Sequence, residues 1–236
     1  KNSRISLVWK SLKRWICLSV LILSGVFFRK QDTAGRKSLF MPVNRSIPDV
    51  AQKRKDWNGL ISGFKASDLV FLDESRCNTD MTRRYAYSLG GSRAVDSAPL
   101  SKPKNTTILL SIQLDGTLRY TTFSGGTTVE SFKRYLETDL LPHLNGNSVL
   151  IMDNMKSHHA KAVKNLLDSS GIRYIYLPPY SPDLNPIEKL WSKVKAFLRK
   201  FKARTLDALP NAIQNAFHAV TVSDCSGWFR FCGYAL

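Results

Sequence analysis

Residues 149–201 read VLIMDNMKSHHAKAVKNLLDSSGIRYIYLPPYSPDLNPIEKLWSKVKAFLRKF, and the order of patterns within them decides the fold. Val149–Asp153 is a short apolar run closing on an acid, as a buried strand does. The spacing from His159 to Ser169 predicts a helix that stops near Gly171, a residue suited to a left-handed C-cap. Ile172–Leu177 reads as the next strand. Pro178, Pro179, Pro182 and Pro186 then impose a stiff, extended path. Beyond them Ile187, Leu190, Trp191, Val194, Leu198 and Phe201 recur at three- and four-residue steps, one apolar face of a helix.

The flanking sequence extends this alternation. Upstream, Leu69–Asp73 (LVFLD) is another apolar run ending in acid. Ile108–Gln113 and Leu118–Phe123 flank the turn dipeptide Asp115-Gly116 and predict a hairpin. Thr127–Leu141 has helical spacing, Thr205–Val220 predicts the last helix with Pro210 in its first turns, and a short basic helix is expected around Asp49–Leu60. The order is three strands, helix, strand, helix, strand, two helices. That is an α/β architecture built on a mixed five-stranded sheet with flanking helices.

With 236 residues the chain suits one large domain or one domain with an appendage. Its 43% hydrophobic and 22% charged residues exclude a wholly disordered chain, and no fibrous period is present. A net charge of +17 argues for a polyanionic partner. Residues 1–56 hold 13 Lys or Arg against 3 Asp or Glu, leaving 22 and 15 for the remaining 180. Cys17, Cys77, Cys225 and Cys232 show no metal-site spacing and read as scattered reduced thiols.

Residues 1–48 are expected to form an irregular or helical N-terminal segment and linker, and 49–236 the main domain. The apolar run Trp15–Phe28 follows Lys10, Lys13 and Arg14 and resembles a targeting segment. It falls short of the roughly 20 residues a membrane span needs, so a buried element is the alternative and no membrane is expected.

Two expected strands close on Asp73 and Asp153, and Glu188 lies two positions past Pro186. Acids at the carboxyl ends of strands sit where open α/β sheets bind ligands. Three of them at one sheet edge suit a hard divalent cation, which takes oxygen ligands and relieves their repulsion. For Glu188 the plain alternative is an acid favoured at a helix start.

YLPPYSPDLNPIEKLWSKVK, with MDNMKSHH and FLDES upstream, resembles the mariner-like and bacterial insertion-sequence transposases of the DDE superfamily, which are ribonuclease H-like endonucleases. The resemblance covers about Asp49 to the C-terminus. It implies a ribonuclease H-like sheet with Asp73, Asp153 and Glu188 as catalytic acids and metal ligands. Thirty-four residues separate the last two, the spacing expected for this branch. It further implies two Mg²⁺ ions, with Mn²⁺ able to substitute, cleavage of DNA at element ends and strand transfer into target DNA. DNA (element terminal repeats and target) and a second copy of the chain are the implied partners. The implied location is the cytoplasm, on the bacterial nucleoid when bound to DNA. A nuclease without strand transfer and an inactive remnant of a mobile element are the rival readings. In this family N-terminal helix-turn-helix modules read the terminal repeats. Residues 1–14 resemble the end of one, but 16–45 fit no helix-turn-helix, so 1–48 read as a remnant of such a module.

Asn154 and His158, in the family's DNxxxH pattern, are candidates to orient a ligand or touch a phosphate. For His158 an exposed position at a helix start is the alternative. Glu74 should face away from Asp73, since neighbours on a strand alternate. Asp183 is expected to shape a turn. Lys189, Lys193, Lys195, Arg199, Lys200, Lys202 and Arg204 crowd sixteen positions, and Arg83, Arg84 and Arg93 follow the first acid. Together they fit a surface that neutralises DNA phosphates.

Overall fold

The computed structural model describes residues 47–83, 86–90, 92–97, 99 and 103–235. Arg84, the apolar run at 15–28 and nearly all of the expected N-terminal segment lie outside them. Among the described residues no helix is long and apolar enough to cross a membrane.

Five strands form one sheet: β1 (Leu69–Asn78), β2 (Asn105–Ile112), β3 (Leu118–Ser124), β4 (Val149–Met152) and β5 (Arg173–Tyr176), in the order β3-β2-β1-β4-β5. The hairpin neighbours β1–β2 and β2–β3 are antiparallel, and β1–β4 and β4–β5 are parallel. Six α-helices flank it: α1 (Pro48–Ile61), α2 (Val129–Tyr135), α3 (Lys161–Ser170), α4 (Ile187–Phe201), α5 (Ala208–His218) and α6 (Val222–Phe231).

Strand alternation divides the core in two. Leu69, Phe71, Cys77, Ile108, Leu110, Val149 and Ile151 pack with Trp57 of α1 and the apolar faces of α4, α5 and α6. Val70, Leu72, Leu109, Leu150 and Met152 pack on the other face with Phe132 and Tyr135 of α2 and with Val163 and Leu167 of α3. Cover on both faces is why all four residues of β4 are apolar and buried.

Three features differ from the sequence-based expectation. β1 does not end at Asp73 but runs five residues further, because antiparallel pairing with β2 continues from Asp73↔Leu110 to Asn78↔Asn105. Its parallel partner β4 does stop there, with Leu72↔Met152 the last pair. The expected helix over 127–141 is also broken. α2 starts on a Thr128–Ser131 capping box and gives way to a wide turn at Leu136–Leu140 and a tight one at Leu141–His143. Pro142 lacks an N–H, and its ring would clash with the Thr138 carbonyl of a continuing helix.

The third difference is α6, absent from the expected elements. Its composition (VSDCSGWFRF) is poor in helix formers. A reciprocal Thr221–Asp224 cap starts it, and burial of Cys225 and Phe229 holds it. Phe229 meets Phe71 edge-on at 5.3 Å between ring centroids, and Tyr234 adds a ring 5.0 Å from Phe71. Phe229→Ala should therefore cost about 3–5 kcal/mol. Urea denaturation of the variant should show the midpoint falling accordingly; an unchanged midpoint would mean α6 does not seal this core.

Candidate active site

The β1–β4 register carries the site. With Leu72 opposite Met152, the next residues along the two parallel strands are Asp73 and Asp153. Asp73 shares the parity of Leu69 and Phe71, so it faces the layer that holds α4. From Leu177 the chain runs through the proline box, where Pro182–Leu184 make a single tight turn and Pro186 is the N-cap of α4. Glu188 is thus in the first helical turn, where its charge suits the helix dipole. Asp73, Asp153 and Glu188 line one cleft of about 440 Å³, together with Asn154, Tyr180 and Asn185.

Asp73 and Asp153 each have a local partner. Asp73 is only 8% exposed. Its Oδ1 accepts the Glu74 N–H at 2.7 Å and its Oδ2 accepts from Nδ2 of buried Asn185 at 3.0 Å. Oδ1 of that asparagine accepts the Ile187 N–H, so one side chain ties the acid to the start of α4. Burial pushes the Asp73 carboxyl up to about 7; the Glu74 N–H opposes this, and the charges of Asp153 and Glu188 add to it.

Asp153 behaves in the opposite way. Burial would raise its pKa, but the bond and charge of His158, the Met155 N–H and the charge of His159 together outweigh burial, and the carboxyl is held below its usual range. Oδ1 of Asp153 lies 2.8 Å from His158 Nδ1 and accepts the Met155 N–H at 3.1 Å. Both contacts fall on Oδ1, which leaves Oδ2 its acceptor capacity.

His158 corrects one expectation: it is fully buried, not an exposed residue at a helix start. Phe132 stacks on its ring at 4.2 Å, and the Tyr176 hydroxyl donates to its carbonyl at 2.9 Å. The loop after β4 is folded back onto α2, and the imidazole enters the core because its Nδ1 has an acid to bond. Asn154 is exposed; its amide donates to the Leu177 carbonyl, bridging the loop to the start of the proline box. Glu74 faces the layer of His158, as alternation requires, and burial raises its pKa.

The basic candidates divide. The Lys189 ammonium sits 3.8 Å from the centre of the Phe231 ring, and Lys193 pairs with Asp224 at 2.5 Å. Lys202 pairs with Asp96, and Arg204 donates to the carbonyls of Thr79, Met81 and Ser97. Arg83, Arg93 and Lys200 are exposed, whereas Lys195 and Arg199 line a second cleft.

Several site features carried no chemical signal in the sequence. Asp183, expected to shape a turn, also takes a two-point bond from Arg54 of α1, at 2.7 and 3.1 Å. Tyr180 lines the cleft with φ of 55°, a left-handed backbone uncommon for a residue with a side chain. Asn185 stood in plain view as the Asn-Pro dipeptide ahead of Glu188, but only the fold shows that it reaches Asp73.

Among the described residues no three His, Cys, Asp or Glu side chains stand close enough, as placed, to hold one metal ion. The acids share a cleft without forming a closed coordination shell. The donors nonetheless fit a hard divalent cation: all are carboxylate oxygens, and burial together with the charges of Asp153 and Glu188 leaves the Asp73 carboxyl without a compensating positive charge.

The sheet order, with acids where β1 and β4 part, is that of the ribonuclease H-like fold. The DDE superfamily endonuclease family matches residues 68–210. The chain belongs to that family. The transposable element Tc1 transposase of Caenorhabditis elegans is 29% identical over 96 residues, 39% of this chain and 35% of the relative. The Mos1 transposase paired-end complex with left transposon end matches with a TM-score of 0.71 at 17% identity, over 86% of this chain and 64% of that one. The Mos1 transposase catalytic domain, solved with Raltegravir and Mg, matches with 0.60 at 16% identity, over 78% and 90%. The chain thus spans about a third of the Tc1 relative's length.

The raised Asp73 carboxyl has a consequence for stability. The native chain keeps its proton up to about pH 7, while the unfolded chain loses it near the ordinary 3.8. Between those values the native state binds more protons, so this group's contribution falls as pH rises. With chelator present, Asp73→Asn should lessen the loss of melting temperature between about pH 5 and about pH 8. Thermal unfolding of both proteins checks it; identical pH profiles would show that Asp73 titrates normally.

Proposed function

We propose that the chain is the catalytic part of a mariner/Tc1-type transposase: it cleaves DNA at the ends of a mobile element and joins the freed 3′ hydroxyl to target DNA. The observation that carries this reading is the common cleft of Asp73, Asp153 and Glu188, held from two adjacent parallel strands and one helix start. In support, the relatives named above are transposases, and one matched complex contains a transposon end.

Asp73, Asp153 and Glu188 would hold Mg²⁺, with Mn²⁺ able to substitute and two ions expected. Bound there, the metal supplies Lewis acidity at a phosphoryl oxygen and a nucleophile at neutral pH. The chain's own residues position and shield. Asn185 fixes Asp73 against the start of α4. His158 fixes Asp153, as outer-shell partners of ligands do. Burial keeps bulk water from Asp73. Since phosphoryl transfer leaves the protein little covalent work, this positioning would supply most of the rate.

The partners in this reading are terminal-repeat DNA, target DNA (typically at a TA step) and a second copy of the chain. The main domain would be 49–236, with 1–48 the remnant of an end-binding module. The compartment is wherever that DNA lies. The Tc1 relative is from a nematode, so a bacterial nucleoid gains no support from it.

Asp153→Asn or Glu188→Gln should lower Mg²⁺-dependent nicking by about 10³-fold or more, since metal-borne stabilisation is worth several kcal/mol. Salt-sensitive DNA binding should persist. Nicking at near wild-type rate by either variant would refute the assignment. Products extended by joining to target DNA separate transposition from plain hydrolysis.

A further inference from the structure

A second cleft, of about 360 Å³, lies past the acids along the same two elements. Arg76, Cys77 and Asn78 of β1 line it, with Lys195 and Arg199 of α4; Asp80 is the one acid on its wall. Lys195 and Arg199 bring two cations to this small space, and an anion between them relieves their repulsion; Arg76 borders the cleft from β1, but alternation turns its guanidinium to the other face of the sheet, beside Gly126.

The geometry sets this cleft in line with the acids. On α4, Lys195 and Arg199 lie seven and eleven residues past Glu188. At 3.6 residues per turn both return to within about 20° of its direction, about 10 and about 16 Å along the axis. On β1, Cys77 is four residues beyond Asp73 on the same face, about 13 Å at strand rise. One groove between β1 and α4 therefore carries carboxylates at one end and cations at the other.

Four other cations nearby are engaged within the chain: Lys189 by the Phe231 ring, Lys193 by Asp224, Lys202 by Asp96 and Arg204 by three carbonyls, while Lys200 is exposed.

We infer that the Lys195–Arg199 cleft is a phosphate subsite that grips the nucleic-acid backbone about three to five nucleotides from the phosphate lying over the acids, at one charge per about 3.4 Å of each strand. This deepens the DNA-processing reading and rests on it. The contact is to backbone, so it orients the strand without reading its sequence.

The test uses the full chain and a fluorescein-labelled duplex of arbitrary sequence, with affinity followed by anisotropy across a salt series. The double variant Lys195→Gln/Arg199→Gln should reduce the slope of log K against log salt by about 1.8, some 0.9 per lost phosphate contact. Lys161→Gln, on exposed α3 across the sheet, should leave the slope unchanged. The charge-preserving Lys195→Arg/Arg199→Lys should keep the wild-type slope, which a loss of folding would not. A double variant with the wild-type slope, or one no different from Lys161→Gln, overturns the subsite. Metal-dependent nicking is scored on the same wild-type sample. Intact nicking with an unchanged slope sinks the subsite alone, whereas no nicking with the slope change present sinks the catalytic reading and leaves the cleft a DNA contact.

Discussion

The parallel pairing of β1 with β4 is the constraint on which the rest depends. It is only four residues long, from Leu69↔Val149 to Leu72↔Met152, yet it fixes where two distant acids emerge. Because strand side chains alternate with period two, a slip of one residue would turn Asp73 toward α2 and Glu74 toward α4. Two-sided burial prevents the slip: Phe71 must meet Phe229 and Tyr234 on one face, while Leu72 packs among the residues of the other. The apolar core thus holds the register, and the register holds the acids.

The proline box completes the arrangement from outside the sheet. Four prolines in nine residues leave the backbone few conformations to lose on folding, which favours a fixed path from β5 to α4. Arg54 anchors that path through Asp183, the Tyr234 hydroxyl through the Leu184 carbonyl, and Asn185 through Asp73. Glu188 is placed by these ties and not by any bond of its own to the other acids. A carboxylate on a helix start, braced from three sides, is held near its neighbours without having to touch them.

The sequence was most legible where local pattern and tertiary role agree. The boundaries of α4 follow directly from its apolar spacing, and the succession of five strands and the helices between them along the chain follows from the change of period. It was least legible where a partner distant in sequence decides the outcome. β1 past Asp73 is polar (ESRCN) and is a strand only because β2 pairs with it. α6 has weak propensity and exists for the Phe71–Phe229 contact. His158 carries no mark of burial, since that needs both Phe132 on its face and Asp153 at its Nδ1. The seven basic residues at 189–204 looked alike in sequence, and only their separate neighbours distinguish those that brace the fold from those that face a cleft.

The treatment of charge ties these observations together. A fold selected for stability alone would not bury Asp73 beside two further acids, because removing a carboxylate from water without a cation is unfavourable. Nor would it set Lys195 and Arg199 together in one cleft when acids elsewhere on the surface could pair them. Both violations fall between the same faces of β1 and α4, while Lys189, Lys193, Lys202 and Arg204 find ordinary partners within the chain. Local rules broken at one place and kept around it are what a functional site leaves in a structure. The signs of the two clusters also match a single kind of occupant. A polyanion whose reacting phosphate is approached through carboxylate-bound cations, and whose neighbouring phosphates are held directly by side-chain cations, satisfies both ends of the groove at once.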